Sequence, residues 1–290
     1  MENKCTELRE KLESFYSKET FFEGHLHESC KHAEECWKRL DNKAKKAPWN
    51  YFSLPYIGKE YDGKLLCVAA NVNKGGGRNL QEMCIRGIKA FDTDKERHEN
   101  DKYGEKYDPG VIESLEKGYK NINFKNGMKK MGESYGGTPL WHRIAVYSKI
   151  LLDGYYSNVA DDFKELAKIY ERIIFMDAIK CSPATIDSSI PGEMEELCPE
   201  YIFFKELEII QPDNILIMYH NGAKLIRGKY NPIEGSKDFP GSNKDIDYCQ
   251  IKIGEKIVNI YYIVHPTTPR RGNRTGLFKE FADFLIKSKK

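Results

Sequence analysis

The stretch from Lys64 to Gly77, KLLCVAANVNKGGG, limits what this chain can fold into more than any other. Leu65, Leu66, Cys67, Val68 and Ala69 are apolar on successive rather than alternate positions, and Tyr61-Asp62-Gly63 supplies a turn before them. Such a short run predicts a strand buried on both faces, as in a parallel sheet covered by helices on either side. Asn71, Asn73, Lys74 and three glycines follow at once. Polar groups at the carboxyl end of a buried parallel strand stand where open α/β sheets place their sites.

Three further runs repeat the pattern: Ile173 to Met176, Ile215 to Tyr219, and Lys256 to Val264. The last is the second arm of a hairpin with Tyr248 to Ile253, turning at Gly254. Helical spacing is found from Leu140 to Leu151, after the turn Gly136-Gly137-Thr138-Pro139, and from Asp161 to Tyr170. It is found again from Glu193 to Ile210, from Gly222 to Ile226, and from Phe278 to Ile286. The expected fold is α/β, a three-layer α/β/α arrangement around a central four-stranded parallel twisted sheet. Right-handed crossovers put every strand's carboxyl end on one edge, which then carries Asn71, Asp177, Tyr219 with His220, and His265.

Residues 1–45 read as charged helix, with Leu8, Leu12 and Phe15 at helical spacing. The expected organisation is an N-terminal helical segment over 1–55 and an α/β domain over 56–290. An insert at about 74–134 has apolar positions too sparse for a continuous core, and it serves as either a solvated decoration or a lid. The net charge of +2 gives no global basic field, so any nucleic-acid contact must come from local patches. The N-terminus lacks the apolar region of a secretory leader, and no run approaches the ~18 apolar residues of a spanning helix. Eight cysteines without secretory features fit a reducing compartment. The expectation is a soluble, cytoplasmic, monomeric protein with no membrane partner.

Asn73-Lys74-Gly75-Gly76-Gly77-Arg78 follows a strand but has neither the G-x-G-x-x-G pattern nor a GK[ST] ending, and no serine sits in a G-x-S-x-G elbow. Several separated pieces instead resemble the uracil-DNA glycosylase superfamily. Val68-Ala69-Ala70-Asn71-Val72-Asn73 is similar to its first motif, and Gly137-Thr138-Pro139-Leu140-Trp141 to the G-x-P-F segment that opens a helix. Met176-Asp177-Ala178-Ile179-Lys180-Cys181-Ser182-Pro183 resembles the N-x-V-K-C-x-P block. Cys198-Pro199 and Glu206-Leu207 with Pro212 resemble the continuation found in the iron–sulfur branch. Val264-His265-Pro266-Thr267 looks like the H-P-S motif.

The resemblance implies hydrolysis of an N-glycosidic bond after the base is flipped out of duplex DNA, leaving an abasic site. Asn71 falls at the water-positioning Asn of the mismatch-specific branch, and His265 would donate to the anion developing on the leaving base. Alone, Asn71 is equally a strand-end turn residue and His265 a surface histidine before proline. Asp177 stands where relatives read uracil with Asn. An ionised carboxylate only accepts hydrogen bonds, so it suits an exocyclic amine and not O4. A modified cytosine is therefore the expected target, such as the glucosylated hydroxymethylcytosine of phage DNA, which would make this an anti-phage enzyme. The stacking Phe is missing, so Asn73, Leu140, Trp141 and Tyr135 are the remaining base-pocket candidates. Lys74, Gly75 and Gly76, with Arg270, Arg271 and Arg274, suit phosphate contact, or are simply exposed basic loops.

Cys181 and Cys198, seventeen positions apart (198 − 181), fall at two ligand positions of the iron–sulfur branch, and only Cys30 and Cys36 are at hand for the other two. A [4Fe-4S] cluster, a zinc site drawing on His25, His27 or His32, and cysteines without metal all remain open. The glycosidic chemistry itself needs no cofactor. Uracil excision in ordinary repair and an inactive DNA-binding relative are the alternative functions.

Overall fold

The computed structural model describes residues 2–19, 32, 51–52, 55–71, 140–154, 168–182, 192–235, 238–242, 244–264 and 275–288. Its strands are β1 (Tyr51–Phe52), β2 (Tyr56–Ile57), β3 (Leu65–Asn71), β4 (Ile174–Ile179), β5 (Cys181–Ser182), β6 (Asn214–Ile217), β7 (Glu234–Gly235), β8 (Ile246–Ile253) and β9 (Lys256–Ile263). Its α-helices are α1 (Glu2–Glu19), α2 (Leu140–Asp153), α3 (Gly192–Cys198), α4 (Phe204–Ile210), α5 (His220–Lys229) and α6 (Thr275–Ser288). A 3₁₀ turn spans Lys168–Arg172, and a π turn at Pro199–Phe203 joins α3 to α4.

The protein is a mixed α/β structure around a seven-stranded sheet of order β2-β4-β3-β6-β9-β8-β7. The four strands read from the sequence form its parallel centre, β4-β3-β6-β9. The sheet is larger than the expected four strands because antiparallel neighbours extend both margins. β8 belongs to it as the first arm of the hairpin, alternating between more and less buried positions, as an antiparallel strand packed on one face does. Gly254 turns that hairpin at φ +60°, where a side chain is disfavoured. β2 and β7 have two residues each, too short for apolar patterning to announce. β1 and β5 pair separately.

Register separates the two faces of the sheet. Cys67, Leu216 and Tyr261 are partners in one row, and Val68, Ile217 and Tyr262 in the next, so the two rows point to opposite sides. On the first side Cys67 Sγ lies 3.2 Å from Ser148 Oγ of α2. Tyr147 of α2 packs on Phe278 and Phe281 of α6, and Phe281 meets Tyr261 edge-on. On the second side His220 of α5 meets the Tyr262 ring edge-on, and Gly222 sits close against Ile217. Helices therefore cover both faces. α1 joins the same core: Leu12 and Tyr16 are fully buried, and the Cys5 thiol donates to the Tyr61 carbonyl at 3.1 Å.

Several boundaries differ from expectation for identifiable reasons. β3 and β4 run two and three residues further than their apolar runs, because each keeps pairing with the other as far as Asn71 and Ile179. Tyr219 leaves the third strand to become the N-cap of α5. The expected helix from Glu193 to Ile210 is interrupted at Pro199, which has no N–H to give, and the chain widens into the π turn there.

Candidate active site at the carboxyl edge of the sheet

Pairing places the motif residues on one edge. Ala69 is the partner of Asp177, and Asn71, the last residue of β3, is the partner of Ile179. The Met218 N–H donates to the Val68 carbonyl at 3.0 Å, which brings the exit of β6 beside the end of β3. β9 leaves the sheet on the same edge through Val264, the residue before His265. β3 leads on one side to β4 and β6 on the other to β9, so the gap between β3 and β6 is a topological switch point.

Asp177 is not the post-strand residue that the sequence suggests. It lies within β4 and is 3% exposed. By register it faces the α2 side, and Leu140 and Trp141 open α2. A buried strand position fixes a carboxylate more tightly than a loop does, and strips it of water.

Three residues further along, on the opposite side, Lys180 is fully buried. Its Nζ stands 2.7 Å from Glu206 Oε2 of α4. Tyr16 of α1 donates to the other Glu206 oxygen. The Lys180 backbone N–H donates to Cys198 Sγ at 3.2 Å. Burial raises the Glu206 pKa, Lys180 and Tyr16 pull it down and the Asp177 charge pushes it up, leaving it at about 7. The K-C-x-P block and the C…E-L block, apart in sequence, are thus interlocked through Lys180.

A second polar group lies at the exit of β6. Tyr219 donates its phenol to Glu195 Oε1 of α3, and the Asn221 amide nitrogen stands 3.2 and 3.1 Å from the two Glu195 oxygens. Burial, with Glu195 beside it, raises the Tyr219 pKa far above its usual value, keeping the phenol a donor. Burial and Lys224 lower the His220 pKa, favouring the neutral ring. Sequence reading put Tyr219 and His220 on this edge but missed Glu195 and Tyr16, whose surroundings look like ordinary amphipathic helix.

Of the expected site residues, the structure brings together Asn71, through its backbone, and Asp177, while Leu140 and Trp141 open α2. Asn73, Lys74, Gly75, Gly76, Tyr135, His265, Arg270, Arg271 and Arg274 lie outside the described residues, as does the 74–134 insert. Among the expected thiol ligands Cys198 is buried, Cys181 is placed by the β5 backbone, and Cys30 and Cys36 lie outside the described residues. His32, two positions after Cys30 and four before Cys36, stacks on Tyr201 with ring centroids 3.9 Å apart. Among the described residues no three His, Cys, Asp or Glu side chains converge to hold a metal ion, and no helix is long and apolar enough to cross a membrane.

Neither a protein-family model nor a curated protein matches the chain.

Proposed function

We propose that the chain is a DNA glycosylase with a uracil-DNA-glycosylase-like fold, hydrolysing the N-glycosidic bond of a flipped-out modified cytosine. The observation that carries the reading is that Asn71 and Asp177, from motif blocks over a hundred residues apart, reach one edge on paired parallel strands. The interlocked Lys180, Cys198 and Glu206 add support, since these are the residues that carry the resemblance to the iron–sulfur branch.

In this mechanism the extruded base enters at the carboxyl edge, with its exocyclic N4–H₂ directed to the Asp177 carboxylate. Asn71 orients a water against C1′. An amide is a poor base, so the water attacks a sugar already far toward the oxocarbenium ion, and turnover is slow. His265 donates to the base's O2 as negative charge grows there, and the departing base takes the electron pair of the broken bond. Lys74, with Gly75 and Gly76, and Arg270, Arg271 and Arg274 hold the flanking phosphates. The enzyme acts as a cytoplasmic monomer on double-stranded DNA, in defence against phage whose cytosines are hypermodified.

Four thiols, Cys30, Cys36, Cys181 and Cys198, would hold a [4Fe-4S] cluster. The fit is supported by the Cys198 thiol resting against the N–H of the residue before Cys181, and by His32 stacked on Tyr201, three residues past Cys198. The group would tie the N-terminal segment to the sheet and takes no part in the hydrolysis.

The test is a panel of duplexes carrying cytosine, glucosylated hydroxymethylcytosine or uracil, followed by alkali cleavage of abasic sites. Release of the modified cytosine and not of cytosine, abolished by His265→Ala, is the expected result. Preferential release of uracil, unchanged in Asp177→Asn, would replace this reading with ordinary uracil repair, and no release from any duplex would leave a DNA-binding relative.

A further inference from the structure

β3 and β6 part at the switch point, and the wall on the β6 side carries polar groups that the mechanism above does not use. Ile217 is the partner of Val68, so Tyr219, two residues on, leaves the sheet level with Ala70, and Asn71 ends β3 one residue later. Paired strands are about 4.8 Å apart, so the exit of β6 and the end of β3 border one crevice. At that exit Tyr219 and Asn221 both hold Glu195, which reaches over from α3. We propose that Glu195 is a catalytic residue of the glycosidic cleavage, its carboxylate facing the sugar and stabilising the positive charge that builds there. This rests on the glycosylase reading and deepens it.

Glu195 is held by neutral groups. A phenol and an amide fix the carboxylate without cancelling its charge, and among the described residues no lysine, arginine or histidine pairs with it. Lys224, the cation a turn further along α5, bears on His220 instead. Glu195 is only partly buried, so a group entering the crevice can meet it. A glutamine would serve to join α3 to α5, since its carbonyl oxygen also accepts from Tyr219. What the carboxylate adds is an uncompensated negative charge, fixed in place before substrate arrives.

The cleavage calls for such a charge. The electron pair of the broken bond leaves with the base, and the sugar passes through an oxocarbenium-like state, which glycoside hydrolases meet with a carboxylate. Asn71 is neutral and cannot supply it. Glu195 supplies it from the opposite wall, while Asn71 orients the water.

The test compares binding of the full chain to two duplexes. One carries a pyrrolidine in place of the target sugar, cationic at the ring, and the other a neutral tetrahydrofuran. The wild type should bind the cationic duplex about tenfold tighter, as suits a charge pair a few ångströms apart at a half-buried site. Glu195→Gln should lose that preference and slow single-turnover release of the modified cytosine by about a hundredfold, the loss seen when one preorganised electrostatic partner is removed. Glu196→Gln, the exposed neighbour on α3, should change neither. If Glu195→Gln does not fold, Asn221→Lys at an exposed position sets a cation beside Glu195 and should abolish the preference in its place. A preference absent from the wild type, or kept in the Glu195 variant, overturns the proposal, and base release by that same wild type leaves the glycosylase reading standing. A wild type that releases no base and binds neither analogue above undamaged DNA removes the reading, and the role of Glu195 with it.

Discussion

Glu206 keeps its proton to about pH 7, against 4.5 for a solvated glutamate. The folded chain therefore binds more protons than the unfolded chain between these values, so this group's stabilising contribution is full below 4.5 and lost as pH rises through 7. The urea midpoint of the wild type should fall over that window, and Glu206→Gln should flatten the fall. Tyr16→Phe removes a buried donor to the same carboxyl and should cost about 1–3 kcal/mol in denaturant unfolding, the range for a buried polar group left without its partner. At this scale the sequence was legible for Asn71 and Asp177, whose edge follows from where apolar runs stop. It was blind to the burial of Lys180 and Glu206, because charged residues in amphipathic stretches look solvated until a third element, here α1, closes over them.

Among elements, the four central strands were legible because burial on both faces leaves an unbroken apolar run, whereas β2 and β7, of two residues each, are too short to show one. β2 is held through Gly58, whose N–H donates to the Ile173 carbonyl at 2.9 Å. A Cβ on Gly58 would stand 2.4 Å from backbone atoms of Tyr170 and Glu171, neither of which can swing aside. Gly58→Ala should destabilise the fold by about 1–3 kcal/mol or more, read as a lowered melting temperature. The α2–α6 pair covers the Asp177 side of the sheet through Phe281, which is fully buried against Tyr147 and Tyr261. Phe281→Ala should cost about 3–5 kcal/mol in denaturant unfolding. The π turn at Pro199 was missed because a proline within a helical pattern announces an interruption without its form.

For the molecule as a whole, the sequence reading set the first 55 residues apart, whereas the inner face of α1 lies in the same hydrophobic core as the sheet. A chain starting at residue 20 should lose the sharp cooperative transition of the full chain in calorimetry, since it opens Lys180 and Glu206 to water. The Tyr16–Glu206 contact closes a separation of 190 residues. Contacts so distant along the chain form only after much conformational freedom has been surrendered. During synthesis α1 must therefore wait for its seat until the residues that close over it, 190 positions further on, have followed. Until then the half-made protein keeps the apolar stripe of Leu12 and Tyr16 uncovered.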